Sequence, residues 1–155
     1  MNIRIIAVGK LKEDFYTAAQ SEFTKRLSKY ANVTITEVKD ERADPGQEDI
    51  ARAAEAERIF KNIKDKEYVI ALEIRGKEYD SEGFANMLHR LMVSGVSDIV
   101  FIIGGSTGLD KRVAARANAS VSFSKLTFSH QMMRQILLEQ LFRAFKIING
   151  ETYHK

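Results

Sequence analysis

Five short runs of apolar and β-branched residues recur along the 155-residue chain, and segments with helical periodicity separate them. The runs are Ile3–Val8, Val33–Val38, Tyr68–Ile74, Ile99–Ile103 and Val121–Phe123. Near-continuous apolarity over so few residues is typical of strands that are buried on both faces. Strands that alternate with helices form βαβ units, so the sequence predicts an α/β fold with a mostly parallel sheet and helices on both faces.

The segments between the runs carry apolar stripes at three- and four-residue spacing, as amphipathic helices do. There are four such stripes, and the last is the strongest. In chain order they are Phe15, Ala19, Phe23, Leu27 and Tyr30; Ile50, Ala53, Ala54 and Phe60; Phe84, Met87, Leu88, Leu91 and Met92; and Met133, Ile136, Leu137, Leu141, Ala144, Phe145 and Ile148. The only proline lies in a loop, and no linker, internal repeat or low-complexity tract divides the chain. We therefore expect residues 1–155 to form one domain.

Composition excludes several kinds of site. Cysteine is absent, which rules out disulfides, iron–sulfur clusters and thiolate zinc sites. The three histidines, His89, His130 and His154, are not at the spacing of metal ligands, so we expect no metal cofactor. The apolar run near the N-terminus is too short for a signal peptide or a membrane span, and we expect a cytoplasmic protein without a membrane partner.

Positive charge is concentrated in the last third of the chain. Residues 101–155 contain 8 Lys and Arg against 3 Asp and Glu, whereas residues 1–100 contain 16 against 18. This distribution is typical of a protein with one face that meets an anion such as nucleic acid. It is equally compatible with ordinary solvated helix surface, and charge alone leaves both interpretations open.

Three strand ends in the C-terminal half carry unusual residues: Leu72–Lys77, Gly104–Gly108 and Ser122–His130. In an open parallel sheet, ligands bind beyond the carboxyl ends of the strands. We therefore expect the main-chain groups of these three loops to converge on a single crevice.

The glycine-rich loop, Gly104–Gly108, matches neither common phosphate-binding motif. Ser106 stands where a dinucleotide fingerprint needs its second glycine, and no Gly-Lys pair follows as a Walker loop requires. Glycines still allow a ligand to approach the main chain closely. The alternative is a tight strand-to-helix turn that places Leu109 in the core.

The third loop is a run of apolar and hydroxyl residues that precedes His130. The N–H and C=O groups of a buried irregular segment need partners, and they can hydrogen-bond the edge of a flat, uncharged ring such as adenine. The alternative is an ordinary strand-to-helix connection in which Leu126 and Phe128 fill the core.

His130 and Arg134 are four residues apart, so they point the same way at the start of the last helix. A neighbouring arginine disfavours protonation, which leaves the histidine as a neutral base or hydrogen-bond partner. Arg134 together with Lys125, Arg143 and Lys146 is a candidate set for holding phosphates. The alternative is that His130 merely caps the helix or packs at its start.

The chain closely resembles the ribosomal RNA large-subunit methyltransferase H family (RlmH) in four segments: MNIRIIAVGKLKE, ALEIRGKEYDSEGFA, FIIGGSTGL and SFSKLTFSHQMMRQILLEQLFRAFKIINGETYHK. The similarity runs from the first strand to the final residue. Members of the family methylate N3 of a pseudouridine in 23S rRNA with S-adenosylmethionine. They belong to the SPOUT class, so the resemblance implies a C-terminal trefoil knot, which no pattern in the sequence predicts.

The resemblance also implies a cofactor site and partners. S-adenosylmethionine would contact Leu72, Gly104 and the run Phe123, Ser124, Lys125, Leu126, Thr127 and Phe128. This donor has no triphosphate, so the glycine loop would need no Walker lysine. Family members act as homodimers whose sites the partner chain completes, and they recognise 23S rRNA in the assembled ribosome. Tyr153 and His154 match a family signature that reaches the active site.

From these matches we expect His130, or His154 from the tail, to accept or relay the N3 proton. Arg134 would orient the rRNA backbone or stabilise the charge that develops on the base. Ser129 stands where many relatives have proline, and we expect the loop to be looser for that reason. The rival interpretation is a non-catalytic RNA- or ribosome-binding protein that uses the basic C-terminal third alone.

Overall fold

The computed structural model describes residues 1–155 and centres on a five-stranded sheet in the order β2-β1-β4-β3-β5. The strands are β1 (Asn2–Val8), β2 (Asn32–Val38), β3 (Tyr68–Glu78), β4 (Asp98–Ile103) and β5 (Ala119–Ser122). Every neighbouring pair is parallel. The predicted α/β fold with a parallel sheet is confirmed.

The helices cover both faces of the sheet, as predicted. They are α1 (Asp14–Leu27), α2 (Glu48–Phe60), α3 (Ser81–Val93), α4 (Lys111–Arg116) and α5 (His130–Ile148). Successive side chains of a strand point to opposite faces, so Ile3 and Ile5 of β1 pack with α1, α3 and α5, whereas Ile6 and Val8 pack with α2 and α4. None of the five helices combines the length and the apolarity that a bilayer crossing requires.

Strand β3 is longer than the sequence predicted, because it pairs with β5 twice. Leu72 lies opposite Val121, and after a register shift Lys77 lies opposite the same residue. The four residues between them leave the ladder, which carries Glu73 and Arg75 beyond the carboxyl edge of the sheet. The knot implied by the resemblance stays a prediction.

Two of the predicted apolar stripes extend beyond the core. Phe15 is 65% exposed and Ile50 is 68% exposed, so the stripes that contain them are not buried along their whole length. Both lie in the first turn of their helix, where the periodicity continues past the edge of the sheet. Tyr30 lies after the end of α1 and stacks on Phe145 of α5, with 5.7 Å between the ring centroids.

Candidate cofactor cleft and active site

The loops that follow β3, β4 and β5 line one open cleft of about 600 Å³. These strands are neighbours in the sheet and parallel, so their carboxyl ends lie side by side at one edge. The cleft is lined by residues 72–75, 103–109, 121–124 and 126–130, with Met133 of α5. Its size is that of an ordinary small-molecule site. The predicted convergence of the three loops is confirmed.

Most of the predicted cofactor-binding residues line this cleft: Leu72, Gly104, Phe123, Ser124, Leu126, Thr127 and Phe128. Lys125 does not, although its neighbours on both sides do. His130 also lines the cleft, and Arg134, Tyr153 and His154 do not. No three His, Asp or Glu side chains lie close enough together to hold a metal ion.

The loop after β5 presents a largely unpaired main chain to the cleft. Within Phe123–Phe128, the Ser124 carbonyl accepts a hydrogen bond from Ser122 Oγ (3.0 Å) and the Leu126 N–H donates to Ser124 Oγ (2.9 Å). No other main-chain group of this run has a partner in the chain. Such groups need hydrogen-bond partners once a ligand excludes water from them.

The side chains of this loop do not fill the core. Leu126 is 71% exposed and Phe128 is 37% exposed, so the interpretation of both residues as core plugs is wrong. The core beneath the loop is already closed by Val121 and by α5. Leu126 and Phe128 therefore supply an apolar wall to the cleft.

The glycine-rich loop is a closed turn that only glycine permits at its first position. A Cβ atom on Gly104 would lie 2.9 Å from the main-chain carbon of Gly108, where no real Cβ is found. The Gly108 N–H donates to the Gly105 carbonyl (3.1 Å), and Arg52 of α2 donates to the Thr107 carbonyl (2.9 Å). The hydroxyl of Thr107 is buried without a partner on the lining of the cleft. It is an unsatisfied polar atom that a bound ligand can pair with.

The imidazole of His130 packs directly on the main chain of Gly9, which follows β1. Gly9 has φ +93°, and a Cβ there would lie 2.8 Å from His130 Cε1. Both the backbone conformation and the close approach require glycine. Sequence reasoning missed Gly9, although a glycine directly after the first strand is a signal that could have identified it.

Electrostatics keep His130 neutral. Burial lowers its pKa, and the nearby Arg134 guanidinium lowers it further, as the four-residue spacing predicted. The Nδ1 atom is buried without a hydrogen-bond partner in the chain. His130 is therefore an uncharged imidazole at the edge of the cleft and is equipped to accept a proton.

Ser129 caps α5, and its effect on the mobility of the loop before it stays a prediction. Its hydroxyl accepts a hydrogen bond from the Met132 N–H at 3.2 Å. A serine N-cap typically contributes about 1 kcal/mol to helix stability. This cap holds the first turn of α5, and hence His130, in place.

Arg134 lies beneath the cleft and not on its surface. Its side chain is 1% exposed, and its guanidinium donates to the Gly9 carbonyl (3.1 Å), Glu37 (3.0 Å) and Gln20 (3.1 Å). It is not among the residues that line the cleft. It ties the loop after β1 to β2 and α1.

The other basic residues predicted to hold phosphates are not assembled at the cleft. Arg143 pairs with Glu139 at 2.5 Å, and Lys146 pairs with Glu151 at 2.5 Å. Lys125 is exposed and forms no ion pair. Much of the positive charge of α5 is therefore neutralised within the chain.

The C-terminal tail packs on the second half of α5. Tyr153 donates to Glu139 (3.2 Å) and meets Phe142 edge-on, while His154 Nδ1 lies 3.3 Å from Arg143. Burial and Glu139 raise the pKa of Tyr153, so its hydroxyl stays protonated. Arg143 is thirteen residues beyond His130 on the helix, or about 20 Å at 1.5 Å per residue. Neither tail residue lines the cleft of its own chain, although His154 borders a second pocket that also contains the cleft residue Phe123.

Comparisons with known proteins show the family of the chain. The model of a family described as "Predicted SPOUT methyltransferase" matches residues 1–154. The chain is 50% identical to a Clostridium botulinum protein and 51% identical to a Limosilactobacillus reuteri protein, each over 100% of both chains. Both relatives are named ribosomal RNA large subunit methyltransferase H.

A solved structure shares the fold at lower sequence similarity. A probable methylase family protein from Haemophilus influenzae superposes with a TM-score of 0.57 at 16% identity, covering 99% of this chain and 70% of that one. At this identity the match shows the fold alone.

Proposed function

Since the chain belongs to the SPOUT methyltransferases, in the family of ribosomal RNA large-subunit methyltransferase H, we propose that it methylates N3 of a pseudouridine in 23S rRNA. The reaction would use S-adenosylmethionine and take place on the assembled ribosome in the cytoplasm. The observation that carries the proposal is the convergence of three strand-end loops on one cleft with His130 at its edge.

The residues of the cleft fit S-adenosylmethionine. The unpaired main chain of Phe123–Phe128 can hydrogen-bond the edge of the adenine ring, and the apolar side chains of Leu72 and Leu126 can cover its faces. The buried Thr107 hydroxyl can pair with a polar group of the same ligand. When bound, the cofactor supplies an electrophilic methyl group carried by a positively charged sulfur.

His130 would remove the proton that blocks the reaction. The imide N3 of pseudouridine is a poor nucleophile while it is protonated, so the protein must provide a base and hold the nucleotide in place. His130 is neutral and borders the cleft. Arg134 would act indirectly, because it fixes the Gly9 carbonyl under the imidazole.

The active unit would be a homodimer in which the tail of each chain completes the site of its partner. Tyr153 and His154 pack on α5 and do not line the cleft of their own chain. The exposed side chains of Leu126 and Phe128, with Ile74 (49% exposed), form an apolar rim beside the cleft that fits a subunit interface. Light scattering tests this arrangement, since a monomer at working concentration would contradict it.

Methyl transfer is the experiment that tests the proposed function. Ribosomes that lack the modification are incubated with the protein and tritiated S-adenosylmethionine, and the labelled nucleoside is identified by mass spectrometry. We expect 3-methylpseudouridine from 23S rRNA. Ribosome binding without S-adenosylmethionine binding in a calorimeter would instead support the non-catalytic rival.

Replacement of Gly104 by alanine is expected to weaken S-adenosylmethionine binding about tenfold or more. The new Cβ overlaps the main chain of Gly108 and forces the glycine loop to move, and overpacking of this kind costs about 1–3 kcal/mol. Calorimetric titration measures the effect. Gly46→Ala is the control: with φ +83° it strains its own turn, but no atom lies within 4 Å of the added carbon and the residue does not line the cleft. Equal affinities in the two variants would contradict the assignment of this loop.

The pH dependence of methyl transfer is expected to show an acidic limb with its midpoint below 6.5. Burial and Arg134 lower the pKa of His130 from that ordinary value, and the imidazole accepts a proton only while it is neutral. The rate should therefore fall as pH decreases through the lowered pKa. A profile of kcat/KM against pH measures the limb, and a midpoint above 6.5 would contradict His130 as the base.

A further inference from the structure

The loop after β1, Lys10–Glu13, is fixed against the start of α5. The Lys12 N–H donates to Gln131 Oε1 at 2.8 Å, and the Leu11 N–H donates to Glu37 at 3.2 Å. Gln131 is the residue after His130. The loop is therefore held in one position beside the candidate base.

Two lysines of this loop carry free positive charge. Lys10 and Lys12 are exposed, and neither forms an ion pair, whereas Arg134, Arg143 and Lys146 of α5 all pair with carboxylates. The hydrogen bond from Lys12 to Gln131 places the main chain of Lys12 beside the residue that follows His130. The charge of Lys12 lowers the pKa of His130, and Asp40 and Glu37 raise it. The loop after β1 thus offers unpaired cations beside the start of α5, whereas the basic residues of α5 itself are all paired.

We propose that Lys12, assisted by Lys10, binds a backbone phosphate of the rRNA strand whose target nucleotide enters the cleft beside His130. The inference rests on the proposed function and adds a binding surface to it. The ligand is the phosphodiester backbone of RNA, which lysine contacts as a point charge without reading sequence. The main chain of Lys12 is bonded to Gln131, which follows His130. A phosphate held by Lys12 would therefore set the position of the RNA strand relative to the imidazole of His130.

Phosphate binding by these lysines has a measurable salt signature. Replacing Lys12 by alanine is expected to weaken binding to unmodified ribosomes by about three- to tenfold at low salt, and to reduce the slope of log affinity against log salt by about 0.7–0.9. Adding Lys10→Ala should produce a second reduction of similar size. Affinity for S-adenosylmethionine should not change. Fluorescently labelled protein titrated with ribosomes over a series of KCl concentrations measures both quantities.

Lys25→Ala is the matched control. Lys25 is also exposed and unpaired, but it lies in the last turn of α1, about 16 Å along the helix axis from its first residue. Because α1 runs away from the carboxyl edge of the sheet, this lysine is remote from the cleft. Its removal should leave ribosome affinity and salt slope as in the unaltered protein.

Two results would overturn the inference. The first is a Lys12→Ala variant whose affinity and salt slope match those of Lys25→Ala. The second is a loss of dimerisation in light scattering with unchanged ribosome binding, which would assign the loop to a subunit contact. Ribosome binding is measured separately from methyl transfer. If the protein binds ribosomes but transfers no methyl group, the proposed function is refuted, and the binding data still decide the role of Lys12.

Discussion

Replacement of His130 by alanine is expected to slow methyl transfer by about 10²–10⁴-fold, the usual contribution of a single general base. The side chain borders the cleft, carries an unpaired Nδ1 and is held neutral by burial and by Arg134. Its loss should not affect S-adenosylmethionine affinity, because the main-chain groups assigned to that ligand belong to other residues. Single-turnover transfer rates and calorimetry measure the two quantities on one protein sample.

The matched control for this prediction is His89→Ala. His89 is exposed on α3 and takes no part in the cleft, so its removal should leave the rate unchanged. His154→Ala tests the second candidate base, which would act on the partner's cleft. Full activity in both His130→Ala and His154→Ala would eliminate histidine as the base.

Replacement of Arg134 by methionine is expected to lower the free energy of unfolding by about 2–4 kcal/mol. Methionine keeps much of the apolar stem, but it leaves the buried Gly9 carbonyl, Gln20 and Glu37 without their donor. Breaking a buried pair costs about 3–5 kcal/mol, and the lower range applies here because Glu37 is 37% exposed. Denaturant unfolding measures the loss.

Two further variants separate a supporting role from direct contact with RNA. Arg134→Lys keeps the charge without the planar fork of donors, so we expect only partial recovery of stability. Arg143→Met removes an i,i+4 pair with Glu139 whose side chains are 25% and 23% exposed, and it should cost less than Arg134→Met because Glu139 keeps the hydrogen bond from Tyr153. If Arg134→Met unfolds like the unaltered protein but loses activity, Arg134 contacts the substrate and its supporting role is contradicted.

The architecture and the location of the cleft could be predicted from the sequence. Buried parallel strands must be apolar throughout, so runs such as Ile99–Ile103 are visible without a structure. Parallel strands have their carboxyl ends at one edge of the sheet. The loops after Leu72, Ile103 and Ser122 therefore come together whatever the residues of each loop are. The absence of the dinucleotide and Walker motifs from the glycine-rich loop was informative as well, because it argued against a nucleoside triphosphate as the ligand.

Contacts between distant parts of the chain could not be predicted in the same way. Helical spacing places His130 and Arg134 on one side of α5, but it does not say that Arg134 meets Gly9, 125 residues away, and becomes buried. Charge counts do not reveal that Arg143 and Lys146 are neutralised by Glu139 and Glu151. Free positive charge near the cleft therefore comes from loops, including Arg75 on the cleft lining and the lysines after β1, and α5 supplies less of it than its composition indicated.

A crystal structure of the protein with S-adenosylmethionine is the most direct test of the central claim, that the loops after β3, β4 and β5 form the methyl-donor site. We expect the ligand between Leu72, Gly104 and the main chain of Phe123–Phe128, with its methyl group directed toward the side of the cleft where His130 lies. A ligand bound outside this cleft, or loops that separate when it binds, would contradict the claim.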